Sequence, residues 1–262
     1  PLPGAAWADM PYLARRHSIT YAPSASTHLA LGGRPAPGGK DPKALTDLVA
    51  MGDPNYTLLA PLPGLRTQLQ PLPNARTEVA GIATTVKAKN LDAYVGPEAN
   101  EAALKAHLRD HPIRVVHLAT HGIVDRAEPA ASAIALCPDS AATEDGYLRT
   151  LEVMALPMDV GLVVLSACES ARGEIGRGEG VVGFSRAFLA AGARTIVASL
   201  WAVSDESTAI LMEAFYRQMA AKKQPTGRAL NEARFSLMAD PRYSHPYYWS
   251  PFVTMGCEYK PW

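Results

Sequence analysis

No apolar run in this 262-residue sequence approaches the roughly 20 residues that a membrane-spanning helix requires. The N-terminus also lacks the basic, then apolar, layout of a signal peptide, so the expectation is a cytoplasmic protein that engages no membrane. Cysteine is scarce. Cys137, Cys168 and Cys257 make an odd count without CxxC spacing, which argues against a disulfide framework or a structural zinc site and favours a reducing compartment. An excess of either charge is missing as well: 25 Lys and Arg stand against 25 Asp and Glu, with no block of one sign to track phosphates. Nucleic acid is therefore set aside as a direct partner. No repeat of 20 to 50 residues is visible, which excludes a solenoid. An initiator Met is absent, and the opening "PLPGAAW" suggests an excised domain or a processed fragment.

What is present suits a globular protein: 48% of residues are hydrophobic and 19% charged, in a chain long enough for a sizeable core. The reading is a single domain over 1–262, with a Pro/Gly-rich part at 1–74 and a core at 75–262. The first part is punctuated by "PLPG", "GGRPAPGG" and "PLPN", around one strand, "SITYAPS", and a helix that Ser24 caps. Asn74 is expected to cap a helix over "ARTEVAGIATTVKAK", "LDAYVG" to form a strand, and Asn100 to cap "EAALKAHLRD".

From there the chain alternates. "IRVVHLAT", "SAIALC", "VGLVVLSA" and "RTIVASLW" read as strands. "LEVMAL", capped by Thr150, and "GVVGFSRAFLAAG" read as helices. Ser204 and Thr226 open two more helices, and "HPYYWSPFVTMG" leads into a last strand. Near-continuous apolar strands alternating with amphipathic helices indicate an α/β fold, a mostly parallel sheet covered on both faces.

In such a sheet the crevice lies beyond the carboxyl ends of the strands, and two strands here end in reactive residues. "VVHLAT" delivers His121 and Gly122, and "LVVLSA" delivers Cys168. A thiol is only a few per cent ionised at pH 7, so an imidazole that takes its proton makes it a working nucleophile. Gly122 allows close approach of the backbone, and its N–H with that of Cys168 could hold a developing oxyanion. Ala167 and Ser170 leave room for a substrate. Taken alone, Cys168 and His121 could each be packed core residues, and only their conjunction favours catalysis. His117, in mid-strand, is assigned to structure, and Cys137 and Cys257 to inert apolar surroundings.

"GEGVVG", Gly178 to Gly183, matches GxGxxG and opens a helix, with Asp205 further on. Ten residues separate these glycines from the preceding strand, whereas a dinucleotide fold needs them directly after it. Close helix packing is the better reading. No organic cofactor and no metal is expected.

With "HLATHG", "LSACES" and the segment from 163 to 216 in view, the sequence resembles CHAT domains, caspase- and separase-related cysteine peptidases often fused to TPR repeats. The resemblance implies a caspase-like three-layer α/β/α sandwich. It implies peptide-bond hydrolysis through an acyl-enzyme, with Cys168 as nucleophile, His121 as its base or imidazolium partner, and the amides of Gly122 and Cys168 as oxyanion hole. Ser199 and Trp201 would lie beside a bound peptide. Asp205, after "LW" as in separases, would bind a basic residue before the scissile bond, although it could equally stabilise its own helix N-terminus. Asp125 is a second acid, or a solvated loop residue. Cleavage after Arg or Lys would expose Arg172-Gly173 and Arg177-Gly178 to self-cleavage. The partners implied are a protein or peptide substrate and a TPR-type regulatory region. The alternative is a catalytically silent scaffold on the same fold.

Overall fold

The computed structural model describes residues 6–39, 45–62, 68–125, 128–141, 143–166, 168–172, 179–201 and 203–262, with backbone alone at 168–172 and 179–182. In chain order the elements begin with β1 (Thr20–Tyr21), α1 (Ala25–Gly32), β2 (Thr46–Pro54), α2 (Pro73–Val86), β3 (Leu91–Gly96), α3 (Glu101–Asp110), β4 (Ile113–Ala119) and β5 (His121–Asp125). There follow β6 (Ala133–Ala135), β7 (Tyr147–Arg149), α4 (Thr150–Ala155), β8 (Val160–Leu165) and β9 (Cys168–Arg172). The last are α5 (Glu179–Ala191), β10 (Thr195–Ser199), α6 (Asp205–Ala220), α7 (Thr226–Met238), α8 (Pro246–Trp249) and β11 (Phe252–Gly256).

Seven strands form one sheet in the order β1-β11-β10-β8-β4-β2-β3. Its neighbours are parallel except β10 and β11. Alternation along each strand divides the core into two layers. Val163 and Leu165 of β8 pack with Leu104 and Leu108 of α3 and Phe188 and Leu189 of α5. Leu162 and Val164 face Val79 and Ile82 of α2, Leu211 and Phe215 of α6, and Leu230 of α7. Every residue of β8 is buried, and each such aliphatic side chain contributes about 1.5–3 kcal/mol by leaving water. The result is the expected α/β/α sandwich with a mostly parallel central sheet. A second sheet, β7-β6-β5-β9, sits on a smaller cluster of Tyr56, Ile123, Ala133, Ala135 and Tyr147.

The cap residues explain several boundaries, and the structure corrects others. Ser24 Oγ accepts the Thr27 N–H at 3.0 Å, and Asn100 Oδ1 accepts the Ala103 N–H at 2.9 Å, as the sequence suggests. Asn74 caps nothing. Its helix starts one residue earlier at Pro73, where a missing N–H costs no bond. Thr150 is likewise inside α4, its hydroxyl donating to the Ser132 carbonyl while Glu152 accepts the Arg149 N–H. The strand read over "SITYAPS" shrinks to Thr20 and Tyr21.

The main omission is β2, which lies between β4 and β3 within a stretch read as loop. Its apolar run is short and sits among Asp47, Gly52, Asp53 and Pro54, residues typical of turns. The glycine is required by packing: a Cβ at Gly52 would lie 2.7 Å from Val79 and 2.9 Å from the Ala75 carbonyl oxygen of α2.

Candidate functional site

β4 and β8 are paired neighbours, with Leu118 opposite Leu165. Beyond that pair both chains leave the large sheet and pair again in the small one, where β5 and β9 run parallel with His121 opposite Cys168. Adjacent strands lie about 4.8 Å apart, so two well-separated stretches of sequence bring these backbones side by side at the carboxyl end of the sheet. The strand that begins at His121 and the one that begins at Cys168 were not legible as strands, because neither carries the apolar alternation of a covered sheet.

His121 is 8% exposed. Its Nε2 lies 2.7 Å from the Gln70 carbonyl oxygen, which can only accept, so Nε2 carries the hydrogen and Nδ1 is the basic nitrogen of the neutral ring. Burial lowers the pKa of His121, against the opposing effects of the Gln70 carbonyl and of the Asp205 and Asp53 charges. The Tyr56 ring packs at 4.9 Å from the imidazole, and its hydroxyl pairs with Thr120 Oγ1 at 3.0 Å. Burial pushes the Tyr56 phenol up, which keeps it neutral.

Gln70 stands just ahead of α2, and two carboxylates fix that end of the helix. Asp53 Oδ1 accepts the Leu72 N–H at 2.9 Å, and its Oδ2 pairs with Arg76 at 3.2 Å. Asp205 Oδ2 accepts the Asn74 N–H at 3.0 Å. Thus Asp205, which opens α6, also serves the N-terminus of α2, a role that joins two helices. Burial raises its pKa. Gln70, Asp53 and Tyr56 were missed by sequence reasoning. Gln70 acts through a main-chain carbonyl, which leaves no trace in residue identity.

The other residues singled out are dispersed around this centre. Gly122 lies between Glu169 of β9 and Ile134 of β6. Asp125, at the far end of β5, is opposite Arg172 and accepts the Glu128 N–H at 3.0 Å. Ser199 is buried and its hydroxyl donates to the Trp201 carbonyl at 2.6 Å, while the Trp201 indole donates to the Tyr247 carbonyl at 3.3 Å. Ala167, Arg177, Gly173 and Gly178 lie outside the described residues, and with them both Arg-Gly bonds.

His117 is fully buried on β4, 3.1 Å from the Tyr216 hydroxyl and 2.9 Å from Glu78 Oε1, in keeping with a structural role. Cys137 and Cys257 are buried free thiols, and burial raises the pKa of Cys137. The carboxylates of Glu101, Glu144 and Glu152 converge at a spacing that suits a metal ion, but Lys105 Nζ sits among them at 2.7, 2.6 and 2.8 Å.

The same architecture occurs in solved structures. Separase in the Saccharomyces cerevisiae separase–securin complex superposes with a TM-score of 0.56 at 14% identity, covering 93% of this chain and 14% of that one. The Arg-specific cysteine proteinase gingipain R gives 0.52 at 11% identity, covering 81% and 46%. The fold is therefore caspase-like. The chain belongs to the CHAT domain family, whose model matches residues 2–257. Relatives include tetratricopeptide repeat protein 28 of Mus musculus, 30% identical over 135 residues, which are 52% of this chain and 5% of that protein. The Homo sapiens form is 32% identical over 113 residues, covering 43% and 4%. The chain spans only a small fraction of these relatives' length.

Proposed function

We propose that this domain is a cysteine endopeptidase that cleaves a protein substrate, with Cys168 as nucleophile and His121 as its base. The observation that carries the reading is the parallel register of His121 and Cys168 at the carboxyl ends of two neighbouring strands. His121 Nδ1 takes the thiol proton as the sulfur attacks the scissile carbonyl carbon. The carbonyl oxygen gains the negative charge, for which the amides of Gly122 and Cys168 are the proposed donors. As the C–N bond breaks, the imidazolium returns its proton to the leaving amine and a thioester remains. Water, deprotonated by the same imidazole, then releases the acid product and the thiol. The Gln70 carbonyl holds the ring in the tautomer this sequence needs.

Cleavage after Arg or Lys is supported by the charge around His121: Asp205 and Asp53 both act on it, so a substrate cation beside the scissile bond meets negative potential. Ser199, Trp201 and Asp125 are the further residues proposed to meet the substrate, and self-cleavage at Arg172-Gly173 or Arg177-Gly178 extends the same preference. The relatives carry tetratricopeptide repeats in their name, which supports regulation by a repeat region or partner. No described helix is long and apolar enough to cross a membrane.

The test is hydrolysis of fluorogenic peptides that differ only in the residue before the scissile bond. Release after Arg or Lys that falls to background in Cys168→Ala and in His121→Ala supports the reading. Activity that survives Cys168→Ala overturns it.

A further inference from the structure

Strand β1 is the outer edge of the seven-stranded sheet and, among the described residues, pairs on one side alone, with β11. Tyr21 on this edge is 55% exposed and Ile19 beside it 38%. Next to the edge, on the face covered by α5, a pocket of about 250 Å³ opens among Tyr21, Pro23, Leu189, Leu200, Val253 and Met255. Its one charged lining residue is Arg186, which is exposed and makes no ion pair or hydrogen bond with any described residue.

Each feature is ordinary alone. An unpaired strand edge offers main-chain donors and acceptors, a hazard that proteins usually blunt or use. Recognition by strand addition combines such an edge with a side-chain pocket for specificity. The volume argues for one large side chain: whole small ligands occupy pockets of about 300–1,000 Å³. The unpaired guanidinium in an otherwise apolar lining selects a neighbouring carboxylate.

We propose that this edge is a docking site for an extended segment of a protein partner. The segment adds as a strand outside β1, buries a bulky aliphatic side chain in the pocket and presents an acidic residue to Arg186. Because alternate side chains of a strand share a face, the two anchors stand two positions apart. His121 does not line this pocket, and the inference stands whether or not the domain is a peptidase.

The experiment uses a fluorescein-labelled ten-residue peptide of Ser, Thr and Gly carrying one Leu and one Asp two positions apart. Fluorescence polarisation is expected to show saturable binding to the wild type. Binding should weaken about tenfold or more with Arg186→Glu or Arg186→Gln, and likewise when the peptide's Leu becomes Ala or its Asp becomes Asn. Hydrogen exchange should show the amides of 19–22 gaining protection when the peptide binds. Equal binding by the Arg186 variants, or no binding to the wild type, overturns the proposal. Displacement of the peptide by palmitate, with no protection of 19–22, would assign the pocket to a small apolar carboxylate instead.

Discussion

At Asp53 the backbone turns left-handed, with φ of 45°, a conformation that aspartate tolerates better than most residues. The turn aims its carboxylate at Leu72 and Arg76 and so fixes the approach to Gln70. Asp53 and Asp205 raise the pKa of His121 while burial, the larger effect, lowers it below 6.5. Only the neutral ring accepts the thiol proton, so activity is lost as pH falls through that lowered pKa. The acid limb of kcat/KM is therefore expected below pH 6.5. Asp53→Asn and Asp205→Asn each remove a charge that favours imidazolium, and each should move that limb further toward acid. A limb that stays in place in both variants would mean that neither carboxylate acts on His121. The Cys168 and His121 pair was legible because each residue comes just after a strong apolar strand. The groups that orient the imidazole were not, since a carbonyl and a helix cap are set by position in space and leave no mark in sequence.

Among the elements, β2 was the harder part to read, and its close contact with α2 is sensitive to substitution. Gly52 passes so close to α2 that Gly52→Ala must push Val79 or the Ala75 backbone aside, at about 1–3 kcal/mol. Urea unfolding should show that loss. Peptide hydrolysis should fall further than stability alone explains, because α2 begins just after Gln70. A second test concerns α3 and α4, joined by Lys105 and its three carboxylates. These carboxylates hold the pKa of Lys105 up, whereas burial raises that of Glu101. Lys105→Met leaves acids buried without their cation, and about 3–5 kcal/mol of stability should be lost at pH 7. Glu101, with its pKa already raised and no longer paired, takes up a proton as pH falls, so part of the loss should be recovered on acidification. The strands of the α/β alternation were readable because both faces of the sheet are covered. The short strands β5 and β7 are covered as well, since Leu148 joins the main core and Ile123 and Tyr147 the smaller cluster, but at 5 and 3 residues they are too short to show a pattern in sequence.

At the scale of the whole molecule, β8 and β4 lie in the middle of the large sheet, paired on both edges, and every residue of β8 and all but Arg114 of β4 are buried. Amides of 160–165 and 113–119 are expected to exchange hydrogen slowest, opening only with global unfolding. Those of β5 and β6 should exchange through smaller openings. A mass-spectrometric exchange series with peptic fragments would measure this ranking directly, and equal rates in both sheets would contradict it.

The passage of β4 into β5 beside that of β8 into β9 has a mechanical consequence. His121 and Cys168 are fastened to the same small sheet, whereas Ser199 ends a strand of the large one. Leu69 and Leu72, on either side of Gln70, pack on the small sheet's own cluster, so the carbonyl that holds the imidazole is tied to that sheet too. A rigid-body swing of the small sheet would carry His121, Cys168 and Gln70 together and would change their distance from Ser199. The geometry thus allows the width of the cleft to vary while the imidazole keeps its anchor.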